Sequence, residues 1–210
     1  ATSGTSAGAS LHVLVASTSG HAKVALFRAS AGLDCAASGR IVRPAAGDML
    51  FLPERPYLLR GTLREQLAQG GSHPPPGDAE AIAVLHSLQL DEVLDEAGGL
   101  DVMRDWSSFV GISEQARLLF ARALLARPYW VFADRLGTAL SPQQAEQVLG
   151  LLRDRGIGYV VLGKPGDAPQ PFDAVLELAG DGGWAYRRLT RPALQRALAQ
   201  GLELIRGSPA

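Results

Sequence analysis

The sequence predicts an α/β fold whose strands are covered on both faces, as in a parallel sheet. Short runs of consecutive apolar residues, such as residues 130–133 and 159–162, are typical of strands buried in this way. These runs alternate with segments whose apolar residues recur at helical spacing, which favours a layered α/β architecture. With 210 residues, of which 47% are hydrophobic and 20% charged, the chain is predicted to form one domain around one sizeable core.

The apolar patterns place the individual elements along the chain. Strands are predicted at residues 11–15, 39–43, 49–52, 130–133, 158–162 and 174–178. Helices are predicted at residues 24–31, 62–68, 78–88, 90–97, 113–126, 142–155 and 191–204. Residues 1–10 are small and polar, so a flexible lead-in is expected before a single domain at residues 11–210. Within that domain, about residues 62–127 are expected to form a helical subdomain and the remainder the α/β core.

Charge and cysteine content narrow the classes of function. The net charge of −1 gives no electrostatic reason to expect a nucleic acid or an anionic membrane as partner, although a local patch stays possible. Cys35 is the only cysteine, which excludes an intrachain disulfide and favours a reducing compartment. No apolar run approaches the roughly 18 to 20 residues that a membrane-spanning helix needs.

The first strand is followed by a loop of small residues and a helix, the order found in phosphate-binding loops. Such a loop, G-x-x-x-x-G-K-[ST], uses glycines to turn backbone N–H groups toward phosphates, a lysine to reach the outer phosphates and a hydroxyl to hold magnesium. Aligned on Lys23, the two glycine positions hold Ala16 and Ala22, and the hydroxyl position holds Val24. The helix N-terminus would still favour an anion. Alternatively, Lys23 is a solvated lysine at a helix start and His21 a loop residue that binds no ligand.

A second segment carries the resemblance to a known family. It reads Phe51-Leu52-Pro53-Glu54-Arg55-Pro56-Tyr57 and then Gly61-Thr62-Leu63-Arg64. This segment resembles the Q-loop region of ABC transporter ATPase domains, in particular the type fused to peroxisomal fatty-acyl exporters and their bacterial relatives. Glu54 stands where that family has glutamine.

Further segments resemble the same family in the same order, so that the resemblance covers roughly residues 11–189. They are residues 16–33, 105–128, 130–135, 136–141, 159–165 and 175–184. In this family Asp134 would be the carboxylate that organises magnesium, and Arg135 replaces the glutamate that polarises the attacking water. A guanidinium does not deprotonate and therefore is no general base. Arg135 could instead pair with Asp134 or a phosphate, or be a surface residue, and Ser141 would cap a helix that begins at Pro142.

The resemblance implies a fold, a set of partners and a site. The fold would be a P-loop NTPase-like ABC ATPase core with a helical subdomain, its N-terminal antiparallel sheet largely absent. The implied cofactors are ATP and Mg²⁺, and the implied partners are the transmembrane domain of an exporter, fused upstream or separate, and a second ABC domain as dimer partner, with no nucleic acid. The implied location is cytoplasmic and peripheral to a membrane. The implied cofactor-binding residues are Ser19, Gly20, His21, Lys23, Glu54 and Asp134, with no catalytic residue and no metal ligand.

The chain departs from the family at the positions that carry chemistry. The departures are Ala16, Ala22, Val24, Glu54, Gly111, Ser113, Arg135, Ser141 and Lys164. The sequence therefore predicts a degenerate ATP-binding-cassette domain of an ABC-type transporter with little or no ATP hydrolysis. The alternatives are a pseudo-ATPase that serves as a scaffold or interaction domain without binding nucleotide, and an engineered sequence on this fold.

Overall fold

A computed structural model describes residues 10–33, 40–68, 76–164, 167 and 171–189. The strands of its main sheet are β1 (His12–Ser17), β2 (Met49–Leu52), β5 (Trp130–Asp134), β6 (Gly158–Gly163), β7 (Ala174–Leu178) and β8 (Trp184–Arg188). A separate antiparallel pair consists of β3 (Arg60–Gly61) and β4 (Arg104–Asp105). The mixed α/β fold predicted from the sequence is thereby confirmed.

The helices fall between and after the strands. They are α1 (Gly20–Ala31), α2 (Leu63–Ala68), α3 (Asp78–Ser87), α4 (Asp91–Ala97), α5 (Trp106–Phe109), α6 (Ile112–Ala126) and α7 (Pro142–Asp154). Short 3₁₀ turns lie at Ala46–Asp48 and Leu136–Thr138. Among the described residues between β2 and β5, strand β3 comes first and helices α2 to α6 follow, with β4 between α4 and α5. The proposed boundary of a helical subdomain at residues 62–127 stays a prediction.

The main sheet has the strand order β2-β5-β6-β1-β7-β8. Every neighbouring pair from β2 to β7 is parallel, and only β8 runs antiparallel to its neighbour. Because parallel strands point the same way, the segments that follow β1, β2, β5 and β6 all emerge at one edge of the sheet. Ligand sites of open α/β sheets lie outside this carboxyl edge.

The core joins the sheet to the helices through α6. This helix buries Leu118, Phe120 and Leu124, which are all at most 2% exposed. Trp106 is fully buried, and its indole N–H donates to the carbonyl of Gly61 at 2.9 Å. The bond satisfies the one polar group of a large apolar side chain, so Trp106 ties α5 to β3.

Several predicted elements differ from the structure. The strand predicted at residues 39–43 is wrong over residues 40–43, which are exposed and pair with no strand among the described residues. Helix α1 begins at Gly20, earlier than predicted, because Ser19 caps it. Strands β3, β4 and β8 were not expected from the apolar pattern. Cys35, most of the predicted lead-in and the helix predicted at residues 191–204 lie outside the described residues.

No helix within the described part of the chain is both long enough and apolar enough to cross a membrane.

Replacing Trp106 by alanine is expected to lower the free energy of unfolding by about 3–5 kcal/mol, because a large cavity opens in the core. Trp184→Ala is the matched control, since Trp184 is 72% exposed and its loss should change stability by no more than about 0.5 kcal/mol. Urea denaturation followed by circular dichroism measures both. Equal losses in the two variants would contradict the assignment of Trp106 to the core.

Candidate functional site

The loop between β1 and α1 is held by hydroxyl groups. Ser17 Oγ donates to the carbonyl of Leu178 at 2.8 Å and accepts from the backbone N–H of Ser19 at 3.1 Å. Ser19 Oγ then accepts from the backbone N–H of Ala22 at 3.3 Å and caps α1. Gly20 is the first helical residue, and a Cβ added there would meet no atom within 4 Å. The packing of the chain itself therefore does not require glycine at position 20.

Lys23 points into the protein. Its side chain is buried, and Nζ donates to the carbonyl oxygen of Gly163 at 2.8 Å, at the end of β6. The alternative that Lys23 is solvated is therefore wrong, and His21 lies in α1 with an exposed side chain, not in a loop. Val24, at the position where a phosphate loop has its hydroxyl, is 47% exposed and offers no oxygen. A role for Ser19, Gly20, His21 or Lys23 in binding a cofactor stays a prediction.

Glu54 and Asp134 are brought together by Arg135. The Arg135 guanidinium donates through Nη2 to Glu54 Oε2, and its Nε lies 3.6 Å from Asp134 Oδ1. The other oxygen of Glu54 accepts from Thr138 Oγ1 at 2.9 Å. We call Glu54, Asp134, Arg135 and Thr138 the Arg135 cluster. The sequence-based possibility that Arg135 pairs with Asp134 is confirmed, and the pair with Glu54 is an additional finding.

Strand register explains how residues so far apart in sequence meet. Parallel strands β2 and β5 pair Leu52 with Ala133, so Glu54 and Arg135 follow this pair at the same offset. Arg135 has left-handed backbone angles, φ 43° and ψ 65°, and its N–H donates to the carbonyl of Leu162 at 3.0 Å. Few non-glycine residues adopt such angles, and those that do are held by their surroundings. The carboxyl edge of the sheet thus fixes the backbone position from which the Arg135 guanidinium extends.

The environment of Asp134 disfavours its charged form. Burial raises the pKa of this carboxyl above its ordinary value of 3.8. The positive charge of Arg135 opposes this shift, the negative charge of Glu54 adds to it, and Lys23 opposes it as well. The carboxylate side chains are only 18% exposed for Asp134 and 20% for Glu54. The two carboxylates of the Arg135 cluster therefore lie mostly shielded from water, whereas the Arg135 side chain is 43% exposed and Thr138 is exposed as well.

The segment that resembles the family's signature is used for internal contacts. Gly111 precedes α6, and its N–H donates to Glu114 Oε2 at 2.7 Å. Ser113 Oγ donates to Gln144 Oε1 at 3.2 Å and so joins α6 to α7. The predicted capping role of Ser141 is confirmed, because its Oγ accepts from the Gln144 N–H at 3.3 Å and its own N–H donates to Gln144 Oε1 at 2.9 Å. The amphipathic character of α6 is likewise realised in buried packing.

Sequence reasoning missed two partners in the site, Thr138 and the carbonyl of Gly163. No local pattern marks a backbone carbonyl as the acceptor for a distant lysine, so the Gly163 contact had no signal in the sequence. The equal offsets of Glu54 and Arg135 would have been a signal only if the pairing of β2 with β5 were known. Lys164 lies at the same edge, exposed, with its backbone N–H donating to Asp167 Oδ2 at 2.6 Å.

The described side chains at this edge of the sheet offer few free oxygen ligands for Mg²⁺. This ion needs oxygen ligands in octahedral geometry. Asp134 is held beside a guanidinium, and Val24 supplies no oxygen. Over the ranges that the structure describes, no group of three or more His, Cys, Asp or Glu side chains is placed to hold a metal ion.

Comparisons with known proteins agree with the fold. An uncharacterized ABC transporter ATP-binding protein of Synechocystis sp. is 33% identical over 82% of this chain and 26% of its own length. The chloroplastic ABC transporter D family member 2 of Arabidopsis thaliana is 30% identical over 72% of this chain and 28% of its own length. The chain thus spans about a quarter of the length of these relatives.

A solved structure described as a bacterial Atm1-family ABC exporter with ATP bound superposes with a TM-score of 0.72. The match covers 95% of this chain and 37% of that one at 18% sequence identity, so it bears on the fold alone. No family model matches the sequence.

Asp134→Asn is expected to raise the free energy of unfolding at pH 7. A folded-state pKa above the unfolded value means that the stability contributed by Asp134 is fully present below about pH 3.8 and is lost as the pH rises through the folded pKa. The increase in the free energy of unfolding caused by Asp134→Asn should therefore become smaller as the pH is lowered. Urea denaturation at a series of pH values measures this.

Asp101→Asn is the matched control, for which the opposite change in stability is expected. A hydrogen bond from Arg64 lowers the pKa of Asp101, so its stabilising effect is present above the ordinary pKa of 3.8 and is lost as the pH falls through the folded pKa. Asparagine at position 101 should lower stability at pH 7. A loss of stability in both variants at pH 7 would show that the bond from Arg135 outweighs the burial of Asp134.

Proposed function

Since the chain is related in sequence and in fold to the ATP-binding domains of ABC transporters, we propose that it is a degenerate ATP-binding-cassette domain of an ABC-type transporter. In this proposal the domain retains the fold and its contact surfaces but hydrolyses little or no ATP. The Arg135 cluster is the observation that carries the proposal.

Arg135 supports the loss of hydrolysis in two ways. The guanidinium accepts no proton at physiological pH, so it does not activate a water molecule. It also binds Glu54 and lies beside Asp134, two carboxylates at this edge of the sheet that would otherwise be available to a cation or a water. Loss of a general base alone reduces rates by roughly 10²- to 10⁴-fold.

The loop after β1 supports weak nucleotide binding. For Lys23 to reach a phosphate, its ammonium would have to leave the carbonyl of Gly163, which would then lose a buried hydrogen bond. Val24 provides no hydroxyl for magnesium. What remains attractive to an anion is the N-terminus of α1 with its cap, Ser19. ATP and Mg²⁺ are thus cofactors of the family that this chain would hold poorly.

The loop after β2 supports a role in docking. Tyr57 is 72% exposed at the end of the segment Pro53 to Tyr57, and Leu59 nearby is 44% exposed. Exposed aromatic and apolar side chains on a loop fixed to a rigid sheet suit an interface with another protein. The proposed partners are the transmembrane domain of an exporter, fused or separate, and a second ATP-binding-cassette domain. The domain would then lie on the cytoplasmic side, peripheral to a membrane.

The second candidate is a scaffold or interaction domain that binds no nucleotide at all. The inward orientation of Lys23 favours it, because the side chain that would reach the outer phosphates already has a buried partner. The two candidates share the docking surface and differ in whether the α1 N-terminus still takes a phosphate. Nucleotide titration separates them.

Isothermal titration with Mg·ATP is expected to show a dissociation constant of roughly millimolar or weaker. This corresponds to a binding free energy no more favourable than about −4 kcal/mol. The physical reason is the absence of the two glycines and the hydroxyl, at Ala16, Ala22 and Val24. The matched variant restores all three at once, as Ala16→Gly, Ala22→Gly and Val24→Ser, and is expected to bind more tightly. A micromolar dissociation constant for the unmodified chain would contradict the prediction, and a complete lack of heat would favour the scaffold.

Phosphate release from Mg·ATP is expected to stay at the level of a control without protein. Arg135→Glu alone should not recover it, because the substituted phosphate loop remains. A colorimetric phosphate assay on both proteins measures this. Phosphate release by the unmodified chain above the control would contradict the proposal of a non-hydrolysing domain.

A further inference from the structure

The segment from Pro53 to Tyr57, which we call the Glu54 loop, is fastened at both of its ends. At one end both carboxylate oxygens of Glu54 accept hydrogen bonds, from Arg135 and from Thr138. At the other end Leu58 is 2% exposed, and the N–H of Leu59 donates to Gln66 Oε1 at 3.2 Å. Between these points Tyr57 extends into solvent with 72% of its surface exposed. The exposed part of the loop is therefore short and has fixed ends.

The fastening at Glu54 differs in character from the surface ion pairs of the same chain. Its carboxylate is 20% exposed and its guanidinium partner 43%, whereas the pair of Arg127 with Glu80 has exposures of 68% and 49%, and that of Arg187 with Glu177 has 67% and 57%. Exposed pairs are screened by water and contribute little, while shielded, charge-assisted hydrogen bonds are stronger. The contact of Arg135 with Glu54 is thus better shielded than either of these pairs, mainly on the side of the carboxylate.

The guanidinium also serves more than one carboxylate. Nη2 donates to Glu54 while Nε faces Asp134, and the backbone of Arg135 is bound to the carbonyl of Leu162 on β6. Three neighbouring strands, β2, β5 and β6, are in this way linked through one residue at their carboxyl ends. Two shielded carboxylates this close to one cation would repel one another without it.

We propose that Arg135 is an internal cation that latches the Glu54 loop to the sheet and so holds Tyr57 in one docking-ready conformation without any bound ligand. By docking-ready we mean able to contact the partner protein of the proposed function, so this word rests on that proposal. The latch, which is the set of contacts from Arg135 that hold the Glu54 loop, does not rest on it. The loop's position is then a constant property of the folded chain. Binding of a ligand at the sheet edge would not be needed to order it.

Chymotrypsin cleavage after Tyr57 tests the latch on the unmodified chain, with no nucleotide or partner present. A protease cleaves the bond between Tyr57 and Leu58 only when the loop opens, so the rate follows the population of the open form. Arg135→Gln is expected to raise that rate on the order of 5- to 30-fold, measured by mass spectrometry of the fragment that begins at Leu58. Tyr129, which is 68% exposed, provides an internal reference site whose rate should not change.

Two further variants make the test specific. Thr138→Val removes the donor to the second oxygen of Glu54 and should raise cleavage about two- to tenfold. Arg187→Gln breaks an exposed Arg–Glu pair elsewhere and should leave cleavage after Tyr57 unchanged. In a double-mutant cycle, Glu54→Gln combined with Arg135→Gln should cleave no faster than the faster single variant, because both remove the same contact.

Three outcomes would overturn the latch. They are an unchanged rate in Arg135→Gln, a rise at Tyr57 matched by an equal rise at Tyr129, and rates that multiply in the double variant. None of these outcomes bears on nucleotide binding or phosphate release. The proposal for Arg135 and the proposed function are therefore tested independently of one another.

Discussion

Parallel pairing at the centre of the sheet is the constraint on which the rest of this structure depends. Strand β1 pairs in parallel with both β6 and β7, and β5 pairs in parallel with β2 and β6. Parallel strands buried on both faces require long crossovers, which here are the helices, and they deliver every following loop to the same edge. The capped loop after β1, Glu54, Arg135 and Lys164 share one edge for this reason alone. Without that pairing, Glu54 would not lie near Arg135, nor Lys23 near Gly163.

Polar side chains at this edge of the sheet bond to other groups of the same chain. Lys23 donates to Gly163, Ser17 to Leu178, and Arg135 to Glu54. In each case a polar group that could face a ligand has a partner within the chain, which avoids the cost of burying it unpaired. We expect such internal partners to hold the loops at this edge in place without a bound nucleotide. Tyr57, exposed on the loop after β2, is the side chain that the proposed function assigns to contact with another protein.

Sequence pattern predicted the regular part of the fold well. The bounds of β2 follow from an uninterrupted apolar run, those of β7 from a run broken only by Glu177, and the start of α7 from a proline and a capping serine, because burial and capping act locally. The failures have physical reasons. Ile41 and Val42 are β-branched, but in the part of the chain that the structure describes no strand pairs with them. Strands β3 and β4 have two residues each, too few for any period to show. Helix α1 began early because a side-chain cap, not apolar spacing, sets its first turn.

What the sequence by itself determined is which chemical groups stand at each position of the site. It contains no hydroxyl at Val24 and no proton acceptor at Arg135, and these absences follow from residue type regardless of folding. Only the tertiary structure decided which groups meet. Lys23 and Gly163 are 140 residues apart, and Glu54 and Arg135 are 81 apart. Such contacts depend on strand order and register, which the hydrophobic period of a strand does not encode, since one period fits any neighbour.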